Sequence, residues 1–170
     1  MGSNAAKFFG KFRGVVTENR DPLMLARVRA RVTDVLGEVE SGWAMPAAPF
    51  GGDQMGFFAL PSVGAGVWFE FEHGDPAYPI WSGAWWGSAA ELPAALRDSP
   101  PYQKVMLRTE GGHTITLDDT EGSAGITLET ATGQKLSLSE RGVEIDDGKG
   151  AKISLTGPQV SVNDGALDVT

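Results

Sequence analysis

The sequence predicts an all-β chain in two unlike parts: a small N-terminal barrel of OB type, then a repeat of short strands that one copy cannot close into a core. Three observations lead there. Of the 15 aromatic residues, every one except Tyr102 lies before position 100, so the two halves cannot be packed by the same means. The strands of the first half are short and punctuated by Gly and Pro turns. Beyond position 103, apolar residues recur as i, i+2 pairs with Gly, Asp or Asn in the gaps, which is a strand repeat.

The barrel is organised around residues 43–86, which hold all five tryptophans and most of the phenylalanines and are expected to supply its core. Within it Val67, Phe69 and Phe71 alternate with Trp68, Glu70 and Glu72, the period of a strand with one face buried. Glycine-bearing turns bracket that strand. The next strand, 80–86, carries Gly83 in its interior, where a missing side chain marks a bulge. Residues 8–17 lead into a first strand, and Asn19-Arg20-Asp21-Pro22 reads as a turn. In 27–32, Arg27, Arg29 and Arg31 face one way and Val28, Ala30 and Val32 the other. The basic ridge is expected to be balanced by carboxylates such as Glu70 and Glu72. Residues 34–42 read as a loop, 43–49 as a short edge strand limited by Pro46 and Pro49, and 57–61 as a further apolar strand. A five-stranded OB-like barrel fits this set better than a sandwich. Residues 88–103, with three prolines and no alternation, form a linker with room for a helical turn that Pro93 limits.

The repeat that follows runs Val105/Leu107, Ile115/Leu117, Ile126/Leu128, Leu136/Leu138, Val143/Ile145, Ile153/Leu155, Val160/Val162 and Leu167/Val169, with first members 10, 11, 10, 7, 10, 7 and 7 residues apart. Each rung offers only two or three inward positions. Identical chains assembled as the walls of a prism would let these ridges meet on a common axis, and three chains make the smallest closed prism.

The net charge of −8, steepest after position 100, argues against a polyanion partner. Without cysteine there are no disulfides or thiolate metal sites. No apolar run approaches the ~20 residues of a membrane-spanning helix, and no leader sequence is expected. Residues 1–6 read as extraneous to the fold.

The segments RGVVTENRDPLMLARVRARV, WAMPAAPFGG, GFFALPSVGAGVWFEFEHGDPAYPIWSGAWW and GGHTITLDD, in this order, resemble the central spikes of contractile injection machines: phage baseplate assembly protein V and the related cell-puncturing and VgrG spike proteins. The resemblance implies an OB-fold barrel (8–87), a linker (88–103) and an intertwined trimeric β-helix (104–170). It implies a homotrimer at the tip of a tube, the barrel facing a hub protein and the helix pointing at the target membrane, in a particle assembled in the producing cell's cytoplasm. Family members with a lysozyme domain carry it between barrel and helix. Here about fifteen residues separate Trp86 from Tyr102, too few for an enzyme domain. Others bind iron at the tip through a histidine pair, and no histidine follows His113 here.

No catalytic site and no cofactor are expected. There is no phosphate-binding Gly loop, and only His73 and His113 titrate near neutrality. His73 sits beside a turn. His113 shares parity with Ile115 and Leu117, so three copies could gather an ion on the axis, although a structural histidine is the more economical reading. Asp118-Asp119 and Asp146-Asp147 at strand ends read as turn caps ahead of calcium ligands. The expected trimer core is Ile115, Leu117, Ile126, Leu128, Leu136, Leu138, Val143, Ile145, Ile153 and Leu155. The final rung, Leu167 and Val169 with Thr170, is expected to form a blunt apolar end on which a PAAR-like tip protein docks. The alternative function is an OB-fold module binding a glycan or an oligonucleotide through its tryptophans.

Overall fold

The computed structural model describes residues 6–97 and 103–169. The chain divides into two compact units, Met1–Ser88 and Ala89–Thr170.

The first unit is a five-stranded curled sheet. Strand β1 (Phe12–Glu18) lies between β2 (Arg29–Arg31) and β6 (Gly66–Phe71); β6 continues to β7 (Pro79–Trp85), and β7 to β3 (Met45–Pro46). Two isolated bridges join the β2 edge to the segment leading into β3, Arg31 with Glu40 and Val28 with Ala44; in the latter the two amides each donate to the other's carbonyl at 3.2 and 2.8 Å. On β6 the expected alternation holds: Val67, Phe69 and Phe71 are buried. Gly14 on β1 permits it, since a Cβ there would stand 3.1 Å from the Phe69 ring. Opposite Trp68 the pairing jumps from Phe69–Trp81 to Val67–Ala84, so Ser82 and Gly83 form the bulge, with Gly83 at φ +127°.

Several expectations are corrected here. The core is mainly aliphatic: Val16, Val28, Ala30, Val32, Ala44 and Val67 surround Phe69 and Phe71. Trp43, Trp68, Trp81 and Trp85 are only half-buried and Trp86 is exposed. The indoles stay at the margin of this core, with Trp81 packed against it, and two of them bond backbone through the ring N–H: Trp81 to the Ala26 carbonyl and Trp85 to that of Val67. Residues 57–61 form no strand. Phe57 and Phe58 instead follow a small exposed hairpin, β4 (Gly51–Gly52) and β5 (Met55–Gly56). The loop expected at 34–42 begins with a single helical turn, α1 (Thr33–Leu36), whose Val35 and Leu36 pack on the core and which ends at Gly37 with φ +59°.

In the second unit, α2 (Ala94–Arg97) starts directly after Pro93, where a missing amide costs nothing. Then comes an eight-stranded antiparallel meander: β8 (Lys104–Arg108), β9 (Thr114–Asp118), β10 (Gly125–Glu129), β11 (Lys135–Ser139), β12 (Gly142–Asp146), β13 (Lys152–Thr156), β14 (Gln159–Val162) and β15 (Leu167–Val169). Each strand pairs with its sequence neighbours in the same chain, so every apolar pair meets the next across the ladder. The uneven spacing of the repeat acquires a cause. Five- and six-residue loops give the intervals of 10 and 11. Two-residue loops, 140–141 and 157–158, give two of the intervals of 7.

Candidate functional site

The register sets the apolar residues in two columns running the length of the meander. One reads Val105, Leu117, Ile126, Leu138, Val143, Leu155 and Val160; the other reads Leu107, Ile115, Leu128, Leu136, Ile145, Ile153 and Val162. Strand period 2 puts both on one face. That face lies open: Val105 is 68 % and Ile115 40 % exposed, Leu117, Ile126, Leu128, Leu138, Ile145, Ile153 and Leu155 fall between them, and Leu136 and Val143 are half-buried. An apolar cleft of about 850 Å³ follows the second column from His113 and Ile115 to Ile153 and Val162. Contiguous apolar surface on this scale marks an association face.

The opposite face is polar and carries the strand charges. Thr116, Thr127, Ser137, Glu144 and Ser154 follow one another across the ladder. Lys104 pairs with Asp118 at 3.3 Å, and Lys152 with Glu144 at 3.1 Å. The Asp118 carboxyl is held below its ordinary range by the Thr120 hydroxyl and amide and by Lys104, and Lys152 is raised by Glu144. No strand position on the apolar face is charged, so sequence parity alone separates the two surfaces.

Along one edge of the sheet the loops repeat a motif that the apolar pattern did not disclose. In Thr109-Glu-Gly-Gly-His113 and Thr130-Ala-Thr-Gly-Gln134, the threonine hydroxyl accepts the amide four residues on; in Asp147-Gly-Lys-Gly-Ala151 an aspartate oxygen does the same. The backbone bond from the first amide to the fifth carbonyl is common to all three. These loops stack: the Ala131 amide donates to His113 Nδ1 at 3.4 Å, a Cβ on Gly148 would stand 2.8 Å from the Gly133 backbone, and the Lys152 amide donates to Asn163 Oδ1. The signal in the sequence was Thr or Asp with Gly three residues later, at intervals of 21 and 17.

His113 therefore closes a hairpin, one ring nitrogen engaged by the next loop. Asp118 and Asp146 each accept the amide two residues on, and Asp147 accepts those of Lys149 and Ala151, the bonds of turn caps. Among the described residues no group of three His, Cys, Asp or Glu stands close enough to hold a metal ion. Leu167 is 60 % exposed on β15, an edge strand of the described sheet. The Val169 side chain and Thr170 lie outside the described part of the structure.

On the barrel, two of the three ridge arginines pair with carboxylates other than those expected. Arg27 makes two bonds to Asp21, at 3.0 and 2.6 Å, and Arg29 bonds Glu40 at 2.8 Å, whereas Glu70 pairs with Lys11. The Arg27 guanidinium, followed by the amides of Leu23, Leu25 and Arg27, holds the Asp21 carboxyl far below the usual carboxylate range. Arginines also occupy the tryptophan faces: Arg27 and Arg29 lie 5.6 and 5.5 Å from the Trp43 ring, and Arg13 lies 5.8 and 5.2 Å from those of Trp68 and Trp85. Stacking platforms for bases or sugars would need those faces free.

Comparison with known proteins agrees with this division. Residues 12–86 match the type VI secretion system/phage-baseplate injector OB domain, and residues 104–168 the phage baseplate V C-terminal trimerisation domain. Over 96 residues, 54 % of the chain, the sequence is 35 % identical to the type VI secretion system spike protein VgrG3 of Vibrio cholerae serotype O1 strain El Tor Inaba N16961. It is 32 % identical over 96 residues to the actin cross-linking toxin VgrG1 of V. cholerae O1 strain Classical Ogawa 395. The matched stretch spans about 9 % of the length of each of these relatives.

Proposed function

Because the chain belongs to the phage baseplate V and VgrG-like family of spike proteins, with the injector OB domain ahead of the trimerisation domain, we propose that it is the homotrimeric central spike of a contractile injection particle. The observation that carries this is the open apolar face of the meander: two columns in register over successive strands, uncharged and exposed among the described residues. Three copies turned inward about an axis would bury Ile115, Leu117, Ile126, Leu128, Leu136, Leu138, Val143, Ile145, Ile153 and Leu155 together and leave the ion-paired face to water. The barrel is taken as 8–87, the linker as 88–103 and the spike as 104–170.

The role is mechanical. Force from a contracting sheath would be borne by many backbone hydrogen bonds loaded together, and the protein performs no catalysis. The barrel end joins the hub. The far end, with Leu167 and Val169 at its last rung and Thr170 beyond them, seats a conical tip protein and meets the target envelope. The trimer is built in the producing cell's cytoplasm and ends as part of the particle.

Two measurements test this. The full chain should have a solution mass three times its 18.0 kDa. A stop codon after Gln103 should abolish functional particles while leaving a soluble barrel. A stable 18.0 kDa species at micromolar concentration, or particles that still deliver without the meander, would refute the reading.

A further inference from the structure

The outer face of the barrel sheet carries two cations that the fold leaves without a counter-charge. Alternation along β1 and β2 sends Val16, Ala30 and Val32 inward and Arg13, Val15 and Arg31 outward. Elsewhere on the barrel Lys11, Arg27 and Arg29 meet carboxylates at 3.1, 2.6 and 2.8 Å. Among the described residues neither Arg13 nor Arg31 forms an ion pair, in a chain whose formal charge is −8.

The ground between these two cations is apolar by construction. Val15 stands opposite Arg31 on one side and Gly66 on the other, and Gly66 stands opposite Trp85. A Cβ on Gly66 would stand 2.7 Å from the Trp85 ring, so the glycine lets that indole lie over β6 beside Val15, which is 42 % exposed. The Arg13 guanidinium rests on this indole at 5.2 Å and on that of Trp68 at 5.8 Å. Stacking of this kind fixes the side chain while leaving the N–H edge of the guanidinium open to a carboxylate. Arg31 and Gly66 lie two strand spacings apart, about 10 Å. The face therefore reads cation, apolar floor, cation over about that distance.

We propose that this face docks a segment of another protein that presents two carboxylates about 10 Å apart with an apolar side chain between them. A helix with acids two turns apart and an aliphatic residue midway has that geometry, since two turns rise about 11 Å. The negative charge of the occupant follows from complementarity to two unmatched guanidinium groups. That it is a protein surface follows from the shape and composition of the site: an exposed sheet face cannot strip the water from a small free anion, whereas arginine and tryptophan together are the residues that dominate binding between proteins. Nucleic acid is a poorer fit, because two cations neutralise few phosphates on a chain of this net charge. The proposal stands independently of the trimeric reading.

The test titrates the full chain with a short alanine-based helical peptide carrying two glutamates two turns apart and leucine between them. Binding is read by tryptophan emission, since Trp68 and Trp85 floor the site. A saturable change is expected, weakened by added salt and lost when glutamine replaces both glutamates. Arg13→Gln and Arg31→Gln should each weaken binding by about threefold or more. Val15→Asp, which keeps both arginines and sets a negative charge between them, should abolish it, while Arg20→Gln, exposed on the turn after β1, should change nothing. No saturable response at millimolar peptide, equal binding of the glutamine peptide, or full binding by the Arg31 and Val15 variants overturns the proposal. So does tighter, competing binding of a single-stranded oligonucleotide. A parent mass of 18.0 kDa would refute the spike reading alone.

Discussion

Replacing Ile126 by Asp places a carboxylate at the centre of the first apolar column, opposite Leu117 on one side and Leu138 on the other. In a single chain Ile126 is 42 % exposed, so the substitution is tolerable before assembly. On a threefold axis the charge would meet two copies of itself without water or a counter-ion. The least costly escape is protonation. Holding a carboxyl with a free pKa near 3.9 neutral at pH 7 costs about 4 kcal/mol per chain. Loss of the remaining apolar burial adds about 1 kcal/mol. Together this is about 15 kcal/mol per trimer, comparable to the whole stability of a domain. The prediction is an 18.0 kDa species at pH 7 by light scattering, with partial return of the trimer towards pH 3, where a carboxyl of ordinary pKa is mostly neutral. Thr127→Asp, one residue on and on the polar face, should remain trimeric, because surface substitutions usually change stability by less than about 0.5 kcal/mol. If Ile126→Asp assembles and resists heat like the parent while Thr127→Asp dissociates, the two faces have been assigned the wrong way round.

Gly142→Ala should weaken the meander, since a Cβ there would stand 1.9 Å from the Leu155 carbonyl oxygen at φ +133°, and melting of the C-terminal half should fall by several degrees; Gly42→Ala, with open space around it, should not change melting of the barrel. Acid should loosen the barrel. Asp21 has a depressed folded pKa, so its contribution is complete above the unfolded carboxylate range and is lost as pH falls below about 4 towards the folded value. Denaturant midpoints measured from pH 6 to pH 2 should fall in the parent and less steeply in Asp21→Asn, and equal slopes would contradict the linkage. The two halves should also part on heating, with loss of the barrel's tryptophan signal preceding dissociation of the trimer; coincident loss would show one cooperative unit. Leu167→Asp with Val169→Asp should strip the tip protein from purified particles, as mass spectrometry would detect.

What the sequence determined by itself is what depends on period and on local chemistry. Alternation placed Val67, Phe69 and Phe71 inside the barrel and gave the meander one apolar face, because strand parity is an integer property that packing cannot shift by half a residue. Gly83 marked its bulge, and Asp118, Asp146 and Asp147 capped their turns. Tertiary structure alone decided the rest, because distance through space is not written in composition. Nothing in the sequence around the tryptophans showed that they would stay at the margin of the core; only the packing of Phe69 against Gly14 and its neighbours shows that small aliphatic residues fill the interior. Nor could the arginine ridge name its partners, Asp21 and Glu40, since a loop and a bridge bring them there rather than the strand that carries Glu70 and Glu72. The stacked loops from His113 to Asn163 were equally hidden: the meander returns to the same edge only at every second turn, and that return, not the spacing of the apolar pairs, sets residues from separate hairpins in contact.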